Sequence, residues 1–310
     1  MTDTTDTRKE NIHRFEHRAM ATIFEILIAD EDLHFSHSAA FAAFQEIDRL
    51  ELELSRYLPN SDIARINNLP PHGKIRVSFD AFQCLSLSLE YWKETEGAFD
   101  VAIGRMVDGW KGRTSVAGSS GERERAKEQS GMHLLELDEA SVSVGVGDFV
   151  PLVDLGAIGK GYAVDRGVEL LKEWGVSSAL VHGGMSSAFA FGDHAGERGW
   201  STTLSSPGEF TEVIQRVVLK DQGLGGSGTR KGLHIADPRT GEPVDRLRAA
   251  WVCSDAAAKS DAISTACMVM TPTEIQRYIS SQEKMWAIVF EEGEEGKPAS
   301  VLRWGPGIST

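Results

Sequence analysis

Cysteine is scarce in this chain: Cys84, Cys253 and Cys267 are all it has among 310 residues. The count is odd and no C-x-x-C pair occurs, which argues against a disulfide framework or a structural zinc site. Each of the three lies in an apolar segment, the setting of a buried free thiol. Long apolar runs are missing too. None reaches the roughly 18 residues that mark a helix crossing a bilayer. The amino end is polar and has no apolar signal core, so a reducing cytoplasm is the expected compartment. Positive charge is in short supply, with 32 Lys and Arg against 46 Asp and Glu and a net charge of −14. Without a basic patch, nucleic acid is not an expected partner. An acidic chain that handles an anionic substrate must neutralise it locally, with a cation or a helix end.

What is present is ordinary for a globular protein, 41% hydrophobic and 25% charged, with enough length for one large domain or two intimately joined ones. Residues 1–11 read as a disordered tail, and 12–305 as a single domain of two sub-halves with an exposed excursion at about 112–131. Thr22–Ala29 reads as a strand. Ser36–Leu54 reads as an amphipathic helix with Phe41, Phe44, Ile47, Leu50 and Leu54 on its apolar side. Ser61 caps a short helix to Asn67, and Ser78 caps another over Phe79–Glu96 that stops at Gly97. Farther on, strands are expected at Ser178–His182, Ser187–Phe191, Trp200–Leu204, Val213–Leu219, Ala249–Ser254 and Trp286–Glu291. Helices are expected over Ala257–Met270 and Thr273–Ser281, and Gly223–Lys231 reads as a glycine-rich turn. This mixed order predicts an α+β fold.

The most informative stretch is Leu152-Val153-Asp154-Leu155-Gly156-Ala157-Ile158-Gly159-Lys160-Gly161-Tyr162. It reads as a strand ending at Asp154, a glycine turn, and a helix starting near Lys160. Glycines let a backbone approach closely, and a helix amino end offers N–H groups and a positive dipole, so the turn suits a pyrophosphate. It is not a Walker A loop, because Gly156 stands too close to Lys160 and Gly161 takes the Ser/Thr place. A tight strand-to-helix turn with a solvated lysine fits equally well.

Four other constellations carry chemistry. Asp261 and Thr265 stand four apart, on one face of a helix, where a carboxylate and a hydroxyl form a fragment of a hard-cation site. A solvated Asp and a back-bonding Thr is the plainer reading, opposed by the apolar neighbours Ala262, Ile263, Ala266 and Cys267. His234 precedes the turn Asp237-Pro238-Arg239-Thr240-Gly241 and is either an acid/base group or a packed strand-end histidine. Gly183 and Gly184 follow a strand and His182, as a backbone approach to a nucleotide or as a tight turn. Gly97-Ala98-Phe99-Asp100 ends a helix, and a glycine C-cap is sufficient explanation for Gly97.

In this order the pieces resemble the ApbE family, the FAD:protein FMN transferases. The resemblance runs from about Phe15 to Phe290 and includes Met20-Ala21-Thr22, Leu54-Ser55-Arg56-Tyr57 and Gly97-Ala98-Phe99-Asp100. It continues through Asp154 to Tyr162, Gly183-Gly184, Ser227-Gly228, His234-Ile235-x-Asp237-Pro238-x-Thr240-Gly241 and Asp261-Ala262-x-Ser264-Thr265. It implies an α+β fold of mixed sheets with flanking helices and an active site between two intimately joined halves. It implies Mg²⁺-dependent transfer of FMN from FAD to a Thr or Ser hydroxyl of an acceptor flavoprotein, with release of AMP. Met20, Tyr57, Ala98, Phe99, Asp100, Asp154, Lys160, Gly183, Gly184 and Ile235 would contact FAD. Asp261, Thr265 and a backbone carbonyl, taken as that of Ala157, would hold Mg²⁺. His234 is the candidate base with Asp237 as its orienter. An FAD pyrophosphatase that gives FMN and AMP, or an FAD-binding protein without turnover, would share the site. The chain departs from the family pattern at Met185-Ser186-Ser187, where Asn or Asp and then Ile are more usual, and at Val101-Ala102, which replaces Pro-Thr.

Overall fold

A computed structural model describes residues 11–30, 32–110, 120–194, 196–206, 213–229, 234–244, 248–293 and 299–308. In chain order its strands are β1 (Ile12–Ala19), β2 (Thr22–Ala29), β3 (Lys74–Arg76), β4 (Leu135–Asp138), β5 (Ser143–Val146), β6 (Ala179–Gly183), β7 (Ser187–Phe191), β8 (Trp200–Ser205), β9 (Val213–Leu219), β10 (Gln222–Gly228), β11 (Arg248–Ser254), β12 (Trp286–Glu291) and β13 (Ser300–Trp304). The helices are α1 (Leu33–Leu54), α2 (Asp62–Asn67), α3 (Phe79–Glu94), α4 (Gly104–Trp110), α5 (Ser120–Glu128), α6 (Gly159–Glu173), α7 (Ala257–Cys267) and α8 (Pro272–Ser280). The expected α+β class holds. Eight strands form one antiparallel sheet in the order β1-β2-β6-β7-β10-β11-β12-β13. A small sheet β3-β5-β4 and a ribbon β8-β9 complete the β structure.

Side-chain alternation along the strands separates two cores. Phe24, Ile26 and Ile28 of β2, Ala250 and Val252 of β11, and Ala287 and Val289 of β12 join one cluster with residues of α1, α6 and α7. Their neighbours Cys253, Trp286 and Ile288 turn to the opposite face and pack with Trp200, Leu204, Val217 and Leu219 of the β8-β9 ribbon. All three cysteines are free and buried, as expected. Among the described residues no helix is long and apolar enough to cross a membrane.

Several boundaries differ from the sequence reading, for physical reasons. Residues 1–10 and 111–119 lie outside the described residues, and 120–128 of the expected excursion form α5. Helix α1 begins three residues early because Asp32 caps it, accepting from the N–H groups of His34 and Phe35. Phe41, assigned to its apolar face, is exposed, whereas Phe44, Ile47, Leu50 and Leu54 are buried. The segment before Asp154 is no strand. It makes a single parallel bridge, Ile103 with Leu152, and is held instead by Asn67, which donates to Val153 O (2.9 Å) and accepts from Val153 N–H (2.7 Å).

The largest correction is at Gly223-Leu224-Gly225-Gly226-Ser227-Gly228, which is strand β10 and not a turn. Glycine is needed there for closeness. A Cβ on Gly223 would stand 2.5 Å from Ala257 N, and one on Gly225 would stand 2.1 Å from Ser260 O. Helix α7 therefore lies flush on this strand. Gly161 does the same for α6, where a Cβ would meet Ala257 O at 2.4 Å. These contacts set the depth at which α7 presents its polar side chains. Gly225→Ala is expected to destabilise the fold by about 1–3 kcal/mol, the usual cost of overpacking a close contact. Urea unfolding measures it, and a midpoint equal to wild type would show that α7 is not held at this distance.

Candidate active site

The glycine turn is a 3-10 turn, Leu155–Ala157, followed directly by α6. Asp154 caps the turn, its Oδ1 accepting from Gly156 N–H at 2.9 Å. Lys160 lies in the first turn of α6 and its Nζ donates to Gly156 O at 3.0 Å. The first N–H groups of a helix have no partner within it. That of Gly161 donates to Asp261 Oδ2 at 3.2 Å. The amide expected to await a phosphate is thus turned to a carboxylate of α7.

Asp261 is only 2% exposed. Its Oδ2 also accepts from the Ser187 hydroxyl at 2.9 Å, and Lys160 Nζ stands 3.8 Å away. Burial pushes the Asp261 carboxyl above the usual carboxylate range, against the opposing pull of Lys160, Ser187 and the Gly161 amide. One turn along α7, the Thr265 hydroxyl donates to Asp261 O (3.2 Å) and lies 2.9 Å from Ser227 Oγ. Ser227 Oγ is also 2.9 Å from Ser264 Oγ. Ser187 and Ser227 come from adjacent strands, β7 and β10, and form a hydroxyl shelf beneath α7. The 3-10 turn that contains Ala157 packs against the same helix. Among the described residues no three His, Cys, Asp or Glu side chains converge. The side-chain donors here are one carboxylate and hydroxyls, a hard-oxygen set that suits Mg²⁺ better than zinc.

A second group forms beside the turn. Tyr57 is 71% exposed, with the Arg56 guanidinium 4.8 Å from its ring centroid. Arg56 Nε lies 3.2 Å from Asp154 Oδ2 and its Nη2 donates to Asp108 at 2.7 Å. Asp100 is held by main-chain donors. It accepts from Ala102 N–H (2.7 Å) and Met132 N–H (3.0 Å), and burial pushes its pKa up to about 6. Ala98 and Phe99 are buried, Phe99 edge-on to Tyr91, so a ligand would meet the main chain of this segment. Met20 and Ala21 form the β1-β2 turn, both with positive φ (49° and 57°), which matches the twist of a tight hairpin. Gly184 packs against that hairpin, where a Cβ would stand 2.5 Å from Thr22 Oγ1. His182 is structural, bridging Gly184 O and Glu25.

His234 is half-buried at the start of a turn in which Ile235 is buried and Val244 N–H donates to Ile235 O. Asp237 accepts from Arg239 through Nε and Nη2, each at 2.9 Å, and Arg239 Nη1 reaches Glu274 at 2.6 Å. Asp237 thus shapes the turn that carries His234. A Cβ on Gly97 would lie 3.9 Å from Arg239 Cγ, so this turn stands beside the Gly97–Asp100 segment. Sequence reasoning missed Ser187 and gave Arg56 no role. Ser187 carries no local signal, since its partner is 74 residues away.

The chain has relatives among known proteins. The FAD:protein FMN transferase of Klebsiella pneumoniae (strain 342) is 24% identical over 294 residues, spanning 89% of this chain and 84% of that protein. The protein of the same name from Escherichia coli (strain K12) is 24% identical over 310 residues, spanning 94% and 88%. The fold matches the apo flavinyl transferase ApbE of Pseudomonas stutzeri with a TM-score of 0.82 at 21% identity, covering 96% of each chain. It matches the flavin transferase ApbE of Vibrio cholerae with a TM-score of 0.82 at 19% identity, covering 95% of this chain and 97% of that one. The family model for ApbE spans residues 20–290, nearly all of the sequence described above, and the chain belongs to the ApbE family.

Proposed function

We propose that this chain is a Mg²⁺-dependent FAD:protein FMN transferase in which residues 12–305 act as one catalytic domain. The enzyme is a transferase that moves a flavin group. The observation that carries the reading is Asp261. A carboxylate this deeply buried is costly unless it has a task or a partner. Here it is aimed at the amino end of α6 beside a lysine, with a hydroxyl one turn away. In the reaction a Thr or Ser hydroxyl of the acceptor protein attacks the FMN phosphorus. A P–O bond forms to the acceptor as the P–O bond to AMP breaks, and the hydroxyl proton passes to a base.

Phosphoryl transfer asks an enzyme mainly for positioning and charge neutralisation. Asp261, Thr265 and the Ala157 carbonyl would hold Mg²⁺, which when bound neutralises charge on the diphosphate. Lys160 adds a second positive charge at the same turn. Tyr57, Asp154 and the main chain of the Ala98–Asp100 segment would receive the flavin, with Met20, Gly183, Gly184 and Ile235 completing its surroundings. His234 would take the acceptor proton, carried on a turn that Asp237 and Arg239 keep rigid. Three buried free thiols accord with a reducing compartment.

The test incubates the protein with FAD, Mg²⁺ and a Ser/Thr-containing acceptor domain, and follows AMP release with in-gel flavin fluorescence. AMP with a fluorescent acceptor is the expected result. AMP with free FMN would replace the reading by hydrolysis, and unchanged bound FAD by a binding role. Asp261→Asn, or EDTA added to wild type, is expected to lower transfer by about 100-fold or more, as loss of a charge-stabilising group does. Full activity under either condition would remove the metal assignment. His234→Ala is expected to slow transfer by about 100- to 10,000-fold. A rate within a few fold of wild type would require another base.

A further inference from the structure

The Arg56 side chain is only 8% exposed, unusual for a guanidinium. It lies between the two side chains expected to receive the flavin. Its Cζ is 4.8 Å from the Tyr57 ring centroid and its Nε is 3.2 Å from Asp154 Oδ2. On its far side Nη2 is anchored to Asp108 of α4. Space for the group is provided by Gly104, where a Cβ would stand 3.1 Å from Arg56 Nη1 and 2.7 Å from Leu152 O. Tyr57 is exposed, and Asp154 Oδ1 is occupied by the Gly156 amide of its own turn.

We propose that Arg56 is a positioning residue for flavin recognition, locking the Tyr57 ring and the Asp154 carboxylate into one wall. The inference rests on the flavin-transfer reading and deepens it. Arginine suits the task because its planar group packs on a ring with its face while one edge donates to the Asp108 carboxylate and Nε stands at ion-pair distance from Asp154. Lysine cannot do both, since its ammonium is a point charge. The wall is built before the flavin arrives, so its loss acts on binding more than on the phosphorus chemistry.

The experiment titrates FAD, in EDTA, into wild type, Arg56→Met, Arg56→Lys, Tyr57→Ala, Asp154→Asn and the Arg56→Met/Asp154→Asn double variant, reading flavin fluorescence. Steady-state transfer with Mg²⁺ supplies KM and kcat. Arg56→Met is expected to weaken FAD binding and raise its KM about tenfold while kcat moves less than about threefold. Arg56→Lys, which keeps charge and stem, is expected to show most of the same loss. The double variant is expected to bind FAD no worse than about twofold below the weaker single variant, because both remove one coupled unit. Thermal melting of each variant identifies any that is unfolded, and Arg56→Lys then carries the test. Unchanged FAD binding in the Arg56 variants, or fully additive losses in the double variant, would overturn the proposal. If Tyr57→Ala and Asp154→Asn also bind FAD as wild type does, the flavin placement itself fails.

Discussion

The structure turns on one buried carboxylate. Asp261 has been taken out of water and given an amide hydrogen bond from the first turn of α6 and a hydroxyl hydrogen bond from β7. These two bonds tie together helix α7, helix α6 and the central sheet. Burial holds its carboxyl above the usual carboxylate range, and Lys160 at 3.8 Å opposes that rise. The residue proposed to hold the metal is thus also one that ties the fold together.

That residue is held at its depth by missing side chains. Gly223 and Gly225 let α7 lie on β10, and Gly161 lets α6 approach the start of α7. The contact is further fixed by Asp165 of α6, which accepts from the Ala257 and Ala258 amides at the amino end of α7. With α7 at this distance, the Thr265 and Ser264 hydroxyls reach Ser227 of the strand below. Larger side chains at the glycines would lift the helix and separate the carboxylate from the hydroxyl shelf.

Around this centre the remaining elements act as walls of different stiffness. The Gly97–Asp100 segment is rigid, since Asp100 is consumed by two main-chain amides and Phe99 is packed in the core. The His234 turn is braced from outside by the Asp237–Arg239–Glu274 chain, which links it to α8. The Tyr57 side is open, with the Arg56 guanidinium packed beside its ring. Rigid surfaces suit the recognition of an invariant group. An open side suits the entry of a large ligand and of an acceptor chain.

The sequence by itself determined the α+β class, the caps at Ser61 and Ser78 and most of the strand positions from β2 onward, because those signals are local. Ser61 and Ser78 act where they were expected, since an N-cap needs only its own turn, whereas α3 ends at Glu94 with Thr95 as its C-cap and Gly97 lies beyond it. It also determined that Asp261 and Thr265 share a helix face, a matter of 3.6-residue periodicity alone. Only the tertiary structure decided that Gly223–Gly228 is a strand, because glycine spacing reads as a turn until a helix is seen lying on it. Only it decided that Asp100 is held by main-chain donors, that Arg56 joins Tyr57 to Asp154, and that Ser187 holds Asp261 across 74 residues. Those roles are set by which distant segments are brought within hydrogen-bonding distance, a property of the packed chain that no local spacing records.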